Sequence, residues 1–407
     1  MLLVGAAAGL LFSAVSTYDF AQHLDRQVHG LHCSFVPGLG TPDATGTSGC
    51  HVTLMSPYSS VFRTLFWGGL PISLPGISVF AFLLWRAILR LVHGGAPSAD
   101  ERRWIALGAV FPVLATVVMG GLSLVVLDAL CKVCAGIYAS SLVVAFGAFA
   151  VVRTAGPPAD APAAGDDAAP APSGPVPALV AALVTLGAFV ALPAAAWAAL
   201  APDHGKYVGT CGKLVVQDDP KKVLVPLDPH PGARPAIEVL DPLCPSCKGF
   251  EDRLTASGHA PALDRRILLF PLDQECNWMV GSTMHPGACT VSEAVLCASG
   301  EDGNAAAARR VVEWAFAHQE DIRAASAADP AAAKAMVTAA FPDLAPCVGS
   351  AAARARLNHS LRWAVRNELP VLTPQLYVDG TRLCDADTDL GLDFTLGRLL
   401  AAPGARP

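Results

Sequence analysis

The chain has 407 residues, of which 53% are hydrophobic and 15% charged, with a formal net charge of −6. That length accommodates two domains, the apolar excess points to a membrane protein with an attached soluble part, and the acidic balance argues against a nucleic-acid partner.

Met1 to Tyr18, Thr64 to Trp85, Trp104 to Leu127, Val133 to Val152 and roughly Ala178 to Leu200 are apolar stretches. Each is near the length that crosses a hydrocarbon core of about 30 Å, which predicts five transmembrane helices. The first carries no Lys or Arg ahead of its apolar run and no small-residue cleavage pattern, so it reads as a membrane helix rather than a signal peptide. Five crossings put Cys33, Cys50, Cys131, Cys134 and every later cysteine on one side or at its membrane edge. Arg86, Arg90, Arg102, Arg103 and Arg153 fall on the other side, against Arg26, Arg63 and Lys132 on the cysteine side. This bias assigns the cysteine-free face to the cytoplasm and the cysteines to an oxidising exterior such as a bacterial periplasm, the chain sitting in the inner membrane. Thr154 to Pro177, rich in Ala, Pro and Gly, reads as a flexible cytoplasmic linker.

Beyond the last apolar stretch, Ala236 to Leu240 reads as a strand running into Asp241-Pro242-Leu243-Cys244-Pro245-Ser246-Cys247. The CxxC spacing alone serves either a redox dithiol or half of a zinc site. Ser292 to Leu369 reads as several amphipathic helices, and Val371 to Gly380 as a proline followed by a short strand and a turn. Here the chain resembles the DsbA-like branch of the thioredoxin superfamily. The resemblance implies an α/β domain over about Val215 to Leu400 with a helical insertion, Cys244 as an exposed nucleophile, Cys247 as a buried resolving thiol and Pro374 as a cis proline. A thiol at a helix N-terminus faces unpaired amides and the positive end of the helix dipole, which lowers its pKa.

In the membrane half, a loop bears Cys33 and Cys50, Ser56 follows six residues after the second, and Phe66 to Ile72 lead into the second apolar helix. The fourth apolar helix opens with Cys131-Lys132-Val133-Cys134 and carries Tyr138 one turn on. This pattern resembles the vitamin K epoxide reductase family, with its four-helix bundle, two loop cysteines and a CxxC beside a quinone. Cys33 and Cys50 are farther apart than in that family, separated by an insert from Gly38 to Gly49. The two resemblances together imply a membrane all-α bundle over residues 1–152, a linker over 153–177, a fifth transmembrane helix over 178–200 and a thioredoxin-like domain over 205–407. They also imply a quinone, ubiquinone or menaquinone, as cofactor. Cys134 then faces the quinone ring, Tyr138 donates to a carbonyl and Ser56 steadies a neighbouring carbonyl or thiolate. Plainer readings stand beside these: Tyr138 as an interfacial aromatic, Ser56 as a helix N-cap, Asp128 as a solvated charge rather than a partner of Cys131. By the same resemblance, Cys131 exchanges with Cys50, Cys50 with Cys33, and Cys33 with Cys244.

Cys211, Cys276, Cys289, Cys297, Cys347 and Cys384 remain, and their even number in an exported region suggests structural disulfides. Spacing favours Cys276 with Cys289 and Cys297 with Cys347, leaving Cys211 with Cys384, although six cysteines allow fifteen pairings. A metal site from Cys276, His285 and Cys289 is the competing reading, and it lacks a fourth ligand. The expected function is quinone-dependent disulfide formation in reduced exported proteins. A disulfide reductase or isomerase, and a non-catalytic anchored binding domain, are the alternatives.

Overall fold

The computed structural model describes residues 1–27, 29–35, 48–94, 97–153 and 175–401. Most of the insert between Cys33 and Cys50, and the linker as far as residue 174, lie outside the described residues. The chain divides into two units, Met1–Pro202 and Asp203–Pro407.

Among the described residues, the first unit holds five helices long and apolar enough to cross a membrane. They are α1 (Leu2–Gln22), α3 (Ser73–His93), α4 (Ala99–Gly121), α5 (Lys132–Arg153) and α6 (Pro175–Leu200), with the short α2 (Gly49–Leu54) between the first two. Apolar burial does not drive association within lipid, so close packing of small residues takes over. A side chain added at Gly147 would come within 2.6 Å of the Leu2 backbone nitrogen, and one at Gly136 would strike the Phe12 ring. These glycines let α1 and α5 lie against each other. Pro175 and Pro177 stand in the first turn of α6, where the amide they lack has no intrahelical partner, so the helix starts inside the stretch expected to be linker.

The second membrane helix departs most from its expected bounds, starting at Ser73 rather than Thr64. Between them the chain turns through Gly68 and Gly69, both at positive φ, and returns as a two-stranded hairpin of β1 (Ser60–Val61) and β2 (Leu70–Pro71). Hydropathy counts these residues as membrane-spanning, but the two glycines and Pro71 turn them away from helix.

The second unit is a five-stranded mixed sheet in the order β3-β5-β4-β6-β7, flanked by helices. β3 (Val225–Asp228) is antiparallel to β5 (Leu263–Leu269), β4 (Arg234–Leu240) is parallel to β5, and β6 (Gln375–Val378) is antiparallel to both β4 and β7 (Thr381–Arg382). α7 (Pro245–Ser257) supplies the crossover between β4 and β5. The helices α8 (Ala288–Ser299), α9 (Ala305–Ala317), α10 (Gln319–Ala328), α11 (Ala332–Ala340) and α12 (Ala351–Arg366) intervene before β6, and α13 (Leu392–Ala401) closes the unit. This is a thioredoxin-like arrangement with a helical insertion. Side chains alternate across the sheet as the pleat requires. Val239, Leu268 and Tyr377 pack on Leu361 and Trp363 of α12, while Ala236, Leu376 and Val378 meet Phe250 and Leu254 of α7 and Leu396 of α13.

Charge is buried on the α7 face. Arg265 of β5 donates to Glu238 of β4 at 2.7 Å and to both carboxylate oxygens of Glu251 on α7. Burial, then the charge of Glu251, hold the Glu238 carboxyl well above the usual range, with Arg265 opposing. Burial also works against ionising Glu251, yet Arg265 holds it below the ordinary value. Arg265→Met should leave the Glu251 charge uncompensated and destabilise the unit by about 3–5 kcal/mol. Denaturant unfolding of the purified chain, followed by tryptophan fluorescence, measures this; a loss under about 1 kcal/mol would show that the triad contributes little.

Candidate functional sites

In the first unit, α2 is capped by Ser48, whose hydroxyl accepts the His51 amide at 3.2 Å. A side chain at Gly49 would collide with the Leu130 carbonyl, so α2 can sit directly on the segment before α5. Cys50 is thereby packed with Cys131, Leu31 and Val133 in one apolar cluster, with Cys33 and Cys134 at its margin. Cys33 is bonded to Cys50, and Cys131 to Cys134.

Beside this cluster lies a cavity of about 390 Å³, within the range of small-molecule pockets. Cys50, Cys131 and Cys134 line it, and Ile137, Tyr138 and Ser141 continue the same face of α5 one and two turns on. α4 contributes Pro112, Thr116 and Met119 to another wall. Ser13 of α1 also lines it, and its buried hydroxyl has no hydrogen-bond partner among the described residues. A mostly apolar chamber with a few hydroxyls and an adjacent disulfide suits a flat molecule with an apolar ring and polar oxygens. Ser56 follows α2, its hydroxyl donates to the Thr53 carbonyl at 2.8 Å, and it is not among the residues lining the cavity. A hydroxyl three residues past a backbone carbonyl at a helix end finds that acceptor before any ligand.

In the second unit, β4 ends at Leu240 and Cys244 is the N-cap of α7, with Pro245 at the first helical position. Proline suits that position because its fixed φ matches the helix and no amide is lost. The thiols of Cys244 and Cys247 are free, and the Thr373–Pro374 peptide is cis. The Cys244 thiol approaches the Thr373 carbonyl at 3.6 Å. The Cys244 side chain is only 4% exposed rather than open. The Thr373 loop covers it from one side, and Gln319 of α10 ties down its backbone by donating to the Cys244 carbonyl at 2.9 Å.

Hydrogen bonding from the Cys247 thiol brings the Cys244 pKa down to about 6, against the opposing effect of burial. Burial, then the hydrogen bond to Cys244, push Cys247 well above the usual thiol range. The split makes Cys244 the thiolate and keeps Cys247 protonated. The leading stabiliser among neighbouring groups is the partner thiol.

Asp241 and His285 were not expected in the site. Asp241, fully buried, accepts the amides of Leu243 at 2.8 Å and Leu272 at 2.7 Å, and His285 Nδ1 lies 2.7 Å from its second oxygen. Burial disfavours the His285 cation, but the bond to Asp241 and its charge hold the imidazole pKa above the ordinary value. Asp241 stands in the quoted motif, and a carboxylate at a strand end three residues before the thiol was the available signal. His285 lies 44 residues away and is reached only through the fold.

Cys276 is bonded to Cys289, Cys297 to Cys347 and Cys211 to Cys384, with Cα separations of 5.9, 5.9 and 5.2 Å. Because Cys276 and Cys289 share a bond and His285 serves Asp241, the metal arrangement considered for those three residues is not formed. Asp273, Glu275 and Cys289 do cluster, but the sulfur there is already in the disulfide.

The reactive form of Cys244 should therefore be present above a pH of about 6 and lost below it. Iodoacetamide labelling of the reduced chain, read at Cys244 by mass spectrometry, should show that midpoint. Cys247→Ala should move it up toward about 8.5, the value of a free thiol. An unchanged midpoint in that variant would remove the Cys247 hydrogen bond as the cause.

The family model described as Vitamin K epoxide reductase family matches residues 1–149. Among solved structures, one from Pseudomonas syringae, described as a candidate protein-disulfide isomerase, is similar at 20% identity. It covers 39% of this chain and 87% of that chain with a TM-score of 0.30. No curated protein matches the chain. Residues 1–149 are thus similar to the vitamin K epoxide reductase family, a family of membrane thiol–disulfide oxidoreductases, and the second unit has a thioredoxin-like fold.

Proposed function

We propose that the protein forms disulfides in exported proteins and passes the electrons to a membrane quinone. In this reading residues 205–407 take electrons from reduced substrate thiols through Cys244 and Cys247, and residues 1–152 return that pair to the disulfide. The observation that carries it is the cavity bordered by Cys50, Cys131, Cys134 and Tyr138 together.

Disulfide exchange only moves an oxidation from one sulfur pair to another, so net disulfide formation needs a two-electron acceptor. A quinone, ubiquinone or menaquinone, supplies that capacity when bound. Cys134 and Tyr138 share one face of α5 at i and i+4, which brings a sulfur and a phenol to the same wall. Cys50 and Cys131 lie in one apolar cluster, which supports exchange between the Cys33–Cys50 and Cys131–Cys134 pairs. A substrate thiolate attacks Cys244 of the oxidised pair and a second substrate thiol resolves the mixed bond, leaving the dithiol; Cys244, the thiolate of that pair, then attacks Cys33 of the Cys33–Cys50 disulfide, and Cys247 resolves that bond. Cys33 is the exchange partner of Cys244 in this order. The placement follows from the charges: the arginine-rich ends lie in the cytoplasm, and the cysteines face the periplasm of a bacterial inner membrane.

With a reduced substrate peptide and a short-tailed benzoquinone, the purified chain should bleach quinone absorbance. Cys131→Ser or Cys134→Ser should reduce that rate by at least ~10³-fold while one round of exchange at Cys244 persists. Turnover retained in either variant would overturn the electron path. For the transfer between pairs, Cys247→Ser should trap the bond formed when Cys244 attacks Cys33 of the Cys33–Cys50 disulfide and releases Cys50, giving a Cys33-to-Cys244 linked peptide after non-reducing digestion. A linked peptide containing Cys131 instead would refute that order.

A further inference from the structure

We propose that Asp19 and His32 form a proton-delivering pair for the acceptor in the membrane cavity, with His32 as the donor and Asp19 as its positioning residue. The inference rests on the quinone reading above and adds the source of the proton. Asp19 lies on the membrane-spanning α1 and its side chain is 6% exposed. A carboxylate placed there is costly, and such groups mark functional positions facing a cavity. Asp19 and His32 both line the chamber that Cys131, Cys134 and Tyr138 line.

The geometry is that of an oriented imidazole. One Asp19 oxygen lies 2.6 Å from His32 Nδ1, and the other accepts the His32 backbone amide at 2.9 Å. The carboxylate therefore fixes both ring and backbone, engages Nδ1 and leaves Nε2 as the nitrogen available to a ligand. The Tyr18 ring sits 6.2 Å from the His32 ring. The His32 side chain keeps 32% of its surface accessible, which gives the pair a route for reprotonation.

The step balances. The thiols of Cys131 and Cys134 lose two electrons and two protons as their S–S bond forms, and a quinone that gains both becomes a quinol. His32 gives one proton to one acceptor oxygen and regains it from one thiol of the Cys131–Cys134 pair, and the proton of the other thiol goes to the second acceptor oxygen. No other oxidant is needed. The unpartnered Ser13 hydroxyl is a second polar group on the same chamber.

The test uses the full chain in detergent with a short-tailed benzoquinone, read by equilibrium dialysis against the oxidised chain and by single-turnover absorbance with the dithiol-reduced chain. His32→Phe should weaken binding about tenfold and slow single-turnover reduction by about 10²-fold, the usual range for a lost proton donor. Exchange of the Cys131–Cys134 pair with dithiothreitol should remain at the wild-type rate. Asp19→Asn keeps an acceptor for the ring while removing the charge, and should lower the single-turnover rate with little change in binding. His32→Gln serves as a second variant of polar character and should show the same rate loss. Wild-type binding and wild-type single-turnover rates in both His32 variants would overturn the proton role while leaving the quinone reading intact. Failure of the wild-type chain to bind or reduce the quinone would instead defeat the reading on which the role rests.

Discussion

The close approach of α1 and α5 is the constraint on which the membrane site depends. Two sulfur pairs exchange electrons only when a thiolate of one reaches a sulfur of the other, so backbones must be brought within side-chain length. In lipid the apolar effect that would hold such surfaces together in water is missing, and glycine substitutes for it by removing the side chain between backbones. Gly136 and Gly147 do this along α5, and Gly49 does it where α2 meets Leu130. Cys50 and Cys131 then share a cluster, and the cavity opens beside them.

The soluble unit solves a different problem, which is keeping one of two adjacent thiols ionised. A low-polarity site penalises any charge, and the penalty falls hardest on the more enclosed sulfur. Cys247, fully buried, stays protonated and can donate to Cys244, which lies in the slightly more open position at the helix start. Each thiol therefore sets the other's state. The Asp241–His285 pair lies near enough for both members to act on Cys244, the carboxylate raising its pKa and the imidazole lowering it. Its net charge depends on whether His285 is protonated.

What the sequence made legible follows from how local each signal is. Apolar runs announce membrane helices and Cys-Pro-Ser-Cys announces a dithiol at a helix start, because both are written in consecutive residues. The beginning of α3 was not legible from hydropathy, since Phe66 to Ile72 are as apolar as a helix and only Gly68, Gly69 and Pro71 mark the turn. The hidden state of Cys244 depends on Thr373 and Gln319, which are 129 and 75 residues away. The Asp19–His32 pair spans a helix end and a loop, and nothing in the residues between them predicts that the ring turns back onto the carboxylate.

These two acid–imidazole pairs point to a shared logic at the two ends of the proposed path. In both, a buried carboxylate binds backbone amides with one or both oxygens, which fixes its position, and then orients an imidazole. A carboxylate already held by amides has little freedom left, so the histidine it grips is placed without a large entropic cost. The pairs differ in surroundings. Asp241 and His285 lie in the packed interior of the soluble unit, where the imidazole acts on a neighbouring thiolate through its charge. Asp19 and His32 border a chamber and retain surface, which suits an imidazole that gains and loses a proton in each cycle. Thiol exchange conserves protons between sulfurs, whereas reduction of a quinone consumes them at oxygen. The more accessible imidazole therefore belongs where a proton must leave the protein chain.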